Sequence, residues 1–310
     1  QTWAQDFGIG MWREHLPYNK TIAVDKVDSK TYAATPFGLY YYDDEDNSLE
    51  RLNKINGLSD FSVTAMQTNQ QNNTLVIGYQ TGNIDLIKND RVINISAIVK
   101  SNLLGDKQIY GIHNEGKYAY LACGFGIVVL DVTKEEVKDT YIIGLGGSQI
   151  KVYDITLDDN TIYAATSAGI YYADRNNAFL ADHSVWSIDS SIPNETGEFD
   201  LIHYANNKIY ANLKVAGYST DTLYYLEGGS WNHLSVFENN DYFSIENKDQ
   251  NILICRHGGV VEVDANNQIV SILYTYNGTG IEPNACIWNG ENYCIADERT
   301  GLNISRDNWT

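Results

Sequence analysis

Proline is scarce in this chain: 4 residues in 310, beside 25 glycines. That scarcity excludes a linker-rich or disordered protein, because such chains lean on proline and polar residues. Long apolar runs are missing too. None approaches the roughly 18–20 residues that cross a bilayer, so no segment reads as a transmembrane helix. Basic residues are few, 21 against 40 acidic, giving a formal net charge of −19. A surface that negative repels phosphate backbones, which excludes nucleic acid as the expected partner. The four cysteines (Cys123, Cys255, Cys286, Cys294) lack CxxC spacing, so a zinc site has no support. Cys286 and Cys294 flank an Asn289-Gly290 turn, where they could pair across a hairpin or serve as small apolar side chains. Gln1 stands where a methionine would begin a primary translation product. A mature chain after signal cleavage would start this way, and so would a trimmed one.

Catalytic motifs are equally sparse. There is no GxSxG elbow, P-loop or dinucleotide glycine fingerprint. The histidines (His15, His113, His183, His203, His233, His257) show no metal-ligand spacing. The acidic run Asp43, Asp44, Glu45, Asp46 and the pair Asp158, Asp159 lack the alternate spacing and central glycine of a calcium loop, and read as solvated hairpin turns. The expectation is therefore no enzyme, no cofactor and no metal.

What is present is a repeat. An apolar or aromatic run, a glycine turn and a second apolar run recur as YAATPFGLYYYD (32–43), VIGYQTGNIDLI (76–87), YLACGFGIVVLD (120–131) and YAATSAGIYYAD (163–174). Two more worn copies are LICRHGGVVEVD (253–264) and IADERTGLNIS (295–305). The turn glycines Gly38, Gly82, Gly126, Gly169, Gly259 and Gly301 are spaced by 44, 44, 43, 90 and 42 residues. The doubled step hides a copy without its glycine, KIYANL (208–213) leading through an insertion to TLYYLEG (222–228). Seven copies of about 43 residues fill the chain as a single domain, 1–310.

The runs last five to seven residues, are rich in Tyr, Val, Ile and Leu, and never continue at a helical period, so they are strands. Two further strands fit in each period, such as VTAMQTN (63–69) and RVINISAI (91–98) in the second copy. Four strands in a period of about 43 residues predict an all-β, seven-bladed β-propeller of four-stranded antiparallel blades. A small residue four before the turn glycine (Ala34, Gly78, Ala122, Ala165, Cys255, with Asn212 in the worn copy) lets neighbouring sheets pack closely. Asp297 breaks that rule. Asp43, Asp131, Asp174 and Asp264, five after the glycine, are placed to bond their own turns.

An open ring would leave two unpaired edges. The seventh copy lacks a fourth strand before Thr310, and MWREHLPY (11–18) resembles SWNHLSVF (230–237), a fourth strand elsewhere. Trp12 to Leu16 is thus expected to complete the seventh blade. The glycine turns, the connectors NGLSD (56–60) and GLGGSQ (144–149) and the insertion 214–221 should share one face, where rigid scaffolds hold binding loops. The last two glycine turns carry Arg256, His257, Asp297, Glu298 and Arg299, the candidate polar ligand-face residues.

Residues 57–84, GLSDFSVTAMQTNQQNNTLVIGYQTGNI, resemble the two-component regulator propeller repeat of exported Bacteroidetes sensors. More narrowly, IGMWREHLPYN (9–19), RLNKINGLSDFSVTAM (51–66), GNIDLIKN (82–89) and YAYLACGFGIVVLDVTKEEVKDTYIIG (118–144) resemble the PorZ N-terminal propeller family of the type IX secretion system. The resemblance implies an exported, outer-membrane surface protein and a fragment of a longer chain with a second propeller and a sorting domain. It implies a non-enzymatic role beside a PorU-type sortase, with PorV- and PorQ-type partners. There cargo exchanges its sorting signal for an anionic lipopolysaccharide anchor. It brings no lipopolysaccharide-binding residue with it, and a charge of −19 sits badly with an anionic glycolipid. A sensor propeller of a hybrid two-component regulator is the second expectation. A glycan-active enzyme using Asp297 or Glu298 is the third.

Overall fold

Alternation of buried and half-exposed residues builds the innermost strand of each repeat, and nearly continuous burial builds the strand beside it. The third strand of the third repeat, Gly126–Asp131, is buried at every position. Such a strand must be covered on both faces, which happens when its sheet is sandwiched between two others. The fourth strands are wetter: Ser48–Leu52 is exposed at its centre. Burial thus peaks just outside the innermost strand and falls toward the rim, since the innermost strand keeps one face toward the axis.

A computed structural model describes residues 17–217, 220–235 and 240–305. It shows seven antiparallel sheets, one per repeat, each meandering outward from an inner strand. The inner strands are Ala23–Val27, Val63–Asn69, Ile109–Glu115, Val152–Leu157, Phe199–Ala205, Tyr242–Lys248 and Pro283–Trp288, for blades 1 to 7. Blades 1 to 6 have four strands. Blade 7 has three among the described residues, Pro283–Trp288, Tyr293–Asp297 and Gly301–Ser305. The expected closing strand, Trp12 to Leu16, lies outside the described residues. A separate two-stranded hairpin, Thr275–Tyr276 with Thr279–Gly280, sits in the connector from blade 6 to blade 7.

The hydrophobic core is distributed among the seams between blades. Leu75 and Ile77 of blade 2 pack with Tyr32 and Ala34 of blade 1, and Ala165 of blade 4 packs with Phe199 and Ile202 of blade 5. The ring closes through Val24 of blade 1 against Cys294 and Ala296 of blade 7. Hydrogen bonds reinforce that seam. Thr21 N and Oγ1 donate to Asp297 O at 3.2 and 2.7 Å, and Leu302 N donates to Tyr40 Oη at 2.7 Å.

The small residue of each second strand does what its spacing predicts. A Cβ on Gly78 would stand 2.6 Å from Ile109 Cγ2 of the next blade, so no side chain fits. Asp297 is no true exception. The turn of blade 7 is one residue longer than that of blade 1, and Ala296, opposite Ala285, holds the small position. Gly38, Gly126, Gly169, Gly259 and Gly301 each open a third strand, while Gly82 lies in the turn just before one. At Gly126 the reason is close approach as well as a φ of +146°: a Cβ would be 2.2 Å from Tyr141 O. The turn aspartates also behave as expected, Asp43 Oδ1 accepting from Glu45 N at 3.0 Å and Asp264 Oδ1 from Asn266 N at 2.9 Å.

Two expectations need correction. The strand expected over 91–98 stops at Ile95, and Ala97–Lys100 forms one helical turn whose Ile98 packs into the seam of blades 2 and 3. Cys286 and Cys294 do not meet. Cys286 lies opposite Ile295 and Cys294 opposite Ile287, so the two thiols occupy opposite faces of the sheet. Cys286 packs beside Cys255 of blade 6, Cys294 beside Val24 of blade 1, and all four thiols are free and buried.

Candidate functional site

Seven inner strands around one axis leave a channel, here a cavity of about 1040 Å³. Its wall is built by register. Asp25, Gln67, His113, Thr156, His203, Glu246 and Ile287 hold the same rung, each paired to the residue two before the small residue of its second strand. Two residues toward the loop face from Thr156, on the same face of the strand, stands Asp154. Each inner strand of blades 2 to 7 then carries a β-bulge, whose extra residues are Thr64, Tyr110, Tyr153, Asp200, Phe243 and Asn284. A bulge bends the strand and re-aims one side chain, and these six residues line the mouth of the channel.

Several wall residues knit neighbouring blades together. Asp25 Oδ2 accepts from Thr68 N at 2.7 Å, Gln67 Oε1 from Asn114 N at 3.0 Å, and Asp154 Oδ2 from Ile202 N at 2.9 Å. Thr156 Oγ1 accepts from Tyr204 N at 3.0 Å, and His203 Nε2 lies 3.2 Å from Asn247 Oδ1. Glu246 makes no such bond; its carboxyl has no hydrogen-bond or ion-pair partner among the described residues.

The electrostatics follow from enclosure. Burial pushes the Asp25 carboxyl up to about 6 and that of Asp154 to about 7, each partly offset by backbone N–H donors. Glu246 rises to about 8, from burial first and then from repulsion by Asp25 and Asp154. Burial lowers His113 and His203 to about 4. The wall thus favours neutral forms of its acids and bases alike. Among the described residues no group of three or more His, Cys, Asp or Glu is arranged to hold a metal ion.

At the mouth Tyr110 and Tyr153 meet edge to face, centroids 5.4 Å apart, with the Lys151 ammonium over both rings. Beside it opens a second depression of about 540 Å³, which shares Phe243 and Asn284 with the channel. Three residues singled out from the sequence, His257, Glu298 and Arg299, line it together with Asn19 and Glu282. Glu282 organises the group: its Oε2 lies 3.1 Å from His257 Nδ1 and its Oε1 3.0 Å from Arg299 Nη2. Glu298 pairs with Lys20 at 2.6 Å. The other two candidates are not brought to this surface. Asp297 is fully buried, and its carboxylate accepts from Arg299 N, Thr300 N and Glu282 N at 2.8, 2.7 and 2.5 Å. Arg256 is buried beneath, donating to His257 O at 3.1 Å with its guanidinium over the Tyr274 ring.

Comparison with known proteins places this architecture. The family model described as the type IX secretion system (TSS9) PorZ N-terminal beta-propeller domain matches residues 31–187. The chain superposes on PorZ, an essential bacterial surface component of the type IX secretion system of Porphyromonas gingivalis, with a TM-score of 0.77 and 23% identity. That match covers 95% of this chain and 38% of that one. The extracellular domain of the hybrid two-component system BT4673 from B. thetaiotaomicron gives 0.67 at 14% identity, covering 94% and 41%. The propeller of Cps50 (Swd1) from Myceliophteria thermophila gives 0.66 at 10% identity, covering 94% and 99%. At these identities the superpositions establish the fold alone. The chain spans less than half the length of the two bacterial chains. No curated protein matches it in sequence.

Proposed function

The chain belongs to the family of PorZ N-terminal β-propeller domains, and from that premise we propose that it is a non-enzymatic docking module of a type IX secretion surface complex. It is exported, works at the outer-membrane surface beside a PorU-type sortase with PorV- and PorQ-type proteins, and assists transfer of cargo to anionic lipopolysaccharide. The family match over residues 31–187 carries this reading. One feature of the molecule supports it. Most polar wall residues of the channel are spent on the backbone of the next blade, which suits a rigid scaffold better than a reaction centre. No helix among the described residues is long and apolar enough to cross a membrane.

The loop face carries both signs of charge: Lys54 pairs with Asp60 at 3.3 Å and Lys151 lies 3.9 Å from Asp106, so its lysines are largely matched by neighbouring carboxylates. The acidic run 43–46 and Asp158, Asp159 occupy hairpin turns at the other end of the blades.

The test is affinity capture from detergent-solubilised outer membranes of the native bacterium, using this chain as bait and an unrelated propeller as control. Enrichment of sortase-complex proteins is the expected result; their absence overturns the proposal. The second reading, a sensor propeller, rests on the similarity to the extracellular domain of BT4673. It predicts instead that disrupting the gene alters transcription of a glycan-use locus while cargo processing stays normal.

A further inference from the structure

Glu246 is the oddity of the channel. Its rung-mates Asp25, Gln67 and Thr156 each accept a backbone N–H from the next blade, whereas Glu246 projects from blade 6 with no partner. Asp25 and Asp154 face Glu246 from blades 1 and 4, and their repulsion further disfavours its ionised form. Enclosed negative charge without a counterion is costly, and a carboxyl in that position gains most from an incoming positive charge. The carboxyls come from three separate blades and are not arranged to share a metal ion. A cavity of about 1040 Å³ has room for something much larger.

We propose that the channel receives a cationic side chain, an arginine or lysine carried on an extended segment of a partner protein, with Glu246 as its counterion. The segment enters at the loop face past Tyr110, Tyr153 and Phe243, whose rings favour the alkyl stem and the cationic head. The lysines near the mouth do not oppose it. Lys151 lies 3.9 Å from Asp106, and Lys214 lies 3.3 Å from both Asp200 and Asp221, so each is neutralised locally. A net charge of −19 concentrates cationic segments around the molecule and speeds their approach. Arginine fits better than lysine, because its planar head offers five N–H donors to separated acceptors. This inference does not depend on the secretion reading.

Binding is linked to protons. The groups facing Glu246 are Asp25 of blade 1, His113 of blade 3, Asp154 of blade 4 and His203 of blade 5. Blades 2 and 7 present Gln67, Ile287 and Trp288, which do not titrate; burial pushes the thiol of Cys286 in blade 7 up, which keeps it neutral, and Lys248 on its own strand is engaged by Glu262 at 2.8 Å. With the Glu246 carboxyl raised, an arriving cation must displace a proton below about pH 8, so affinity rises with pH.

Isothermal titration calorimetry with N-acetyl-arginine amide, and N-acetyl-citrulline amide as the neutral isostere, tests the idea on the wild type and on Glu246→Gln. The arginine probe should bind, the citrulline probe about tenfold or more weaker. Binding should weaken about tenfold in Glu246→Gln and from pH 8.5 to pH 6, with proton release scaling with buffer ionisation heat. Glu246→Asp, which keeps the charge but shortens its reach, serves as a second variant should Glu246→Gln not fold, with a smaller loss expected. No binding, equal binding of the two probes, or binding indifferent to both substitutions overturns the proposal.

Discussion

At the scale of the residue, the most consequential side chains are those whose environment forbids an alternative. Gly78 touches Ile109 across a seam so closely that a Cβ would overlap it. Gly78→Val should cost about 1–3 kcal/mol, as overpacked cores do, read as a lowered urea midpoint with an unchanged slope. The channel carboxyls give a pH dependence with a defined sign. Folded-state values raised above the unfolded ones mean that the native state binds more protons, so stability falls as pH rises. Asp25, Asp154 and Glu246 act over the span from about 4 to about 8. His113 and His203, lowered to about 4, act oppositely and only below about 6.5. The two effects oppose each other in mild acid, and the carboxyls act alone above about 6.5. Melting temperature should therefore decline from pH 6.5 to 8.5, and Glu246→Gln should flatten that decline. A wild-type melt that rises over this range contradicts the assignment. These residues were hidden in the sequence even though the offset is regular: Asp25, His113, Thr156, His203 and Glu246 each stand nine before the small residue of the next strand. A polar residue at such a position looks like any half-exposed strand residue until seven copies are wound around one axis. The turn aspartates were legible because their chemistry is local, completed within two to four residues.

At the scale of the element, strands were legible and their ends less so. RVINISAI reads as one apolar stretch, yet Ile98 finds its burial by turning into the seam, a tertiary gain invisible to periodicity. Asp297 and Arg256 show the same limit. Both sit in a polar turn, and both are buried by neighbours that only the fold supplies. Inside blade 6 a charged knot replaces apolar packing. Glu262 accepts from Lys248 Nζ at 2.8 Å and from Asn251 Nδ2 at 2.5 Å, and it receives Tyr293 Oη of blade 7 at 2.9 Å. Glu262→Ala leaves the Lys248 ammonium, only 15% exposed, without its counterion. A loss of about 3–5 kcal/mol is expected, and Glu262→Gln should lose less because the amide still accepts from Tyr293. Equal losses in denaturant titrations of the two variants would show that charge alone, and not the acceptor for Tyr293, is what the knot supplies.

At the scale of the whole molecule, seven seams share the stability unequally. Among the described residues the seam between blades 7 and 1 buries Val24, Cys294 and Ala296, while that between blades 2 and 3 buries a cluster running from Ala65 to Val132. Tyr18 helps to guard the thin seam, its ring edge-on to Tyr40 and under the Arg51 guanidinium. Removing residues 1–18 should lower the melting temperature by several degrees or more and speed amide exchange in Gly301–Ser305 first. An unchanged melt would refute closure by the N-terminal segment. The repeat made the ring legible from the sequence, since seven periods of one meander have few other ways to bury their faces. The proposed function rests on family likeness, because the channel and its mouth are assembled from residues some forty apart.

The central claim is a docking role in cargo attachment, and deletion of the gene in the native bacterium tests it most directly. The account predicts that cargo proteins accumulate with their C-terminal sorting signals uncleaved and lose their lipopolysaccharide anchor, as read by immunoblot and mass spectrometry. Cargo that is trimmed, anchored and displayed at wild-type levels in the deletion strain would contradict it.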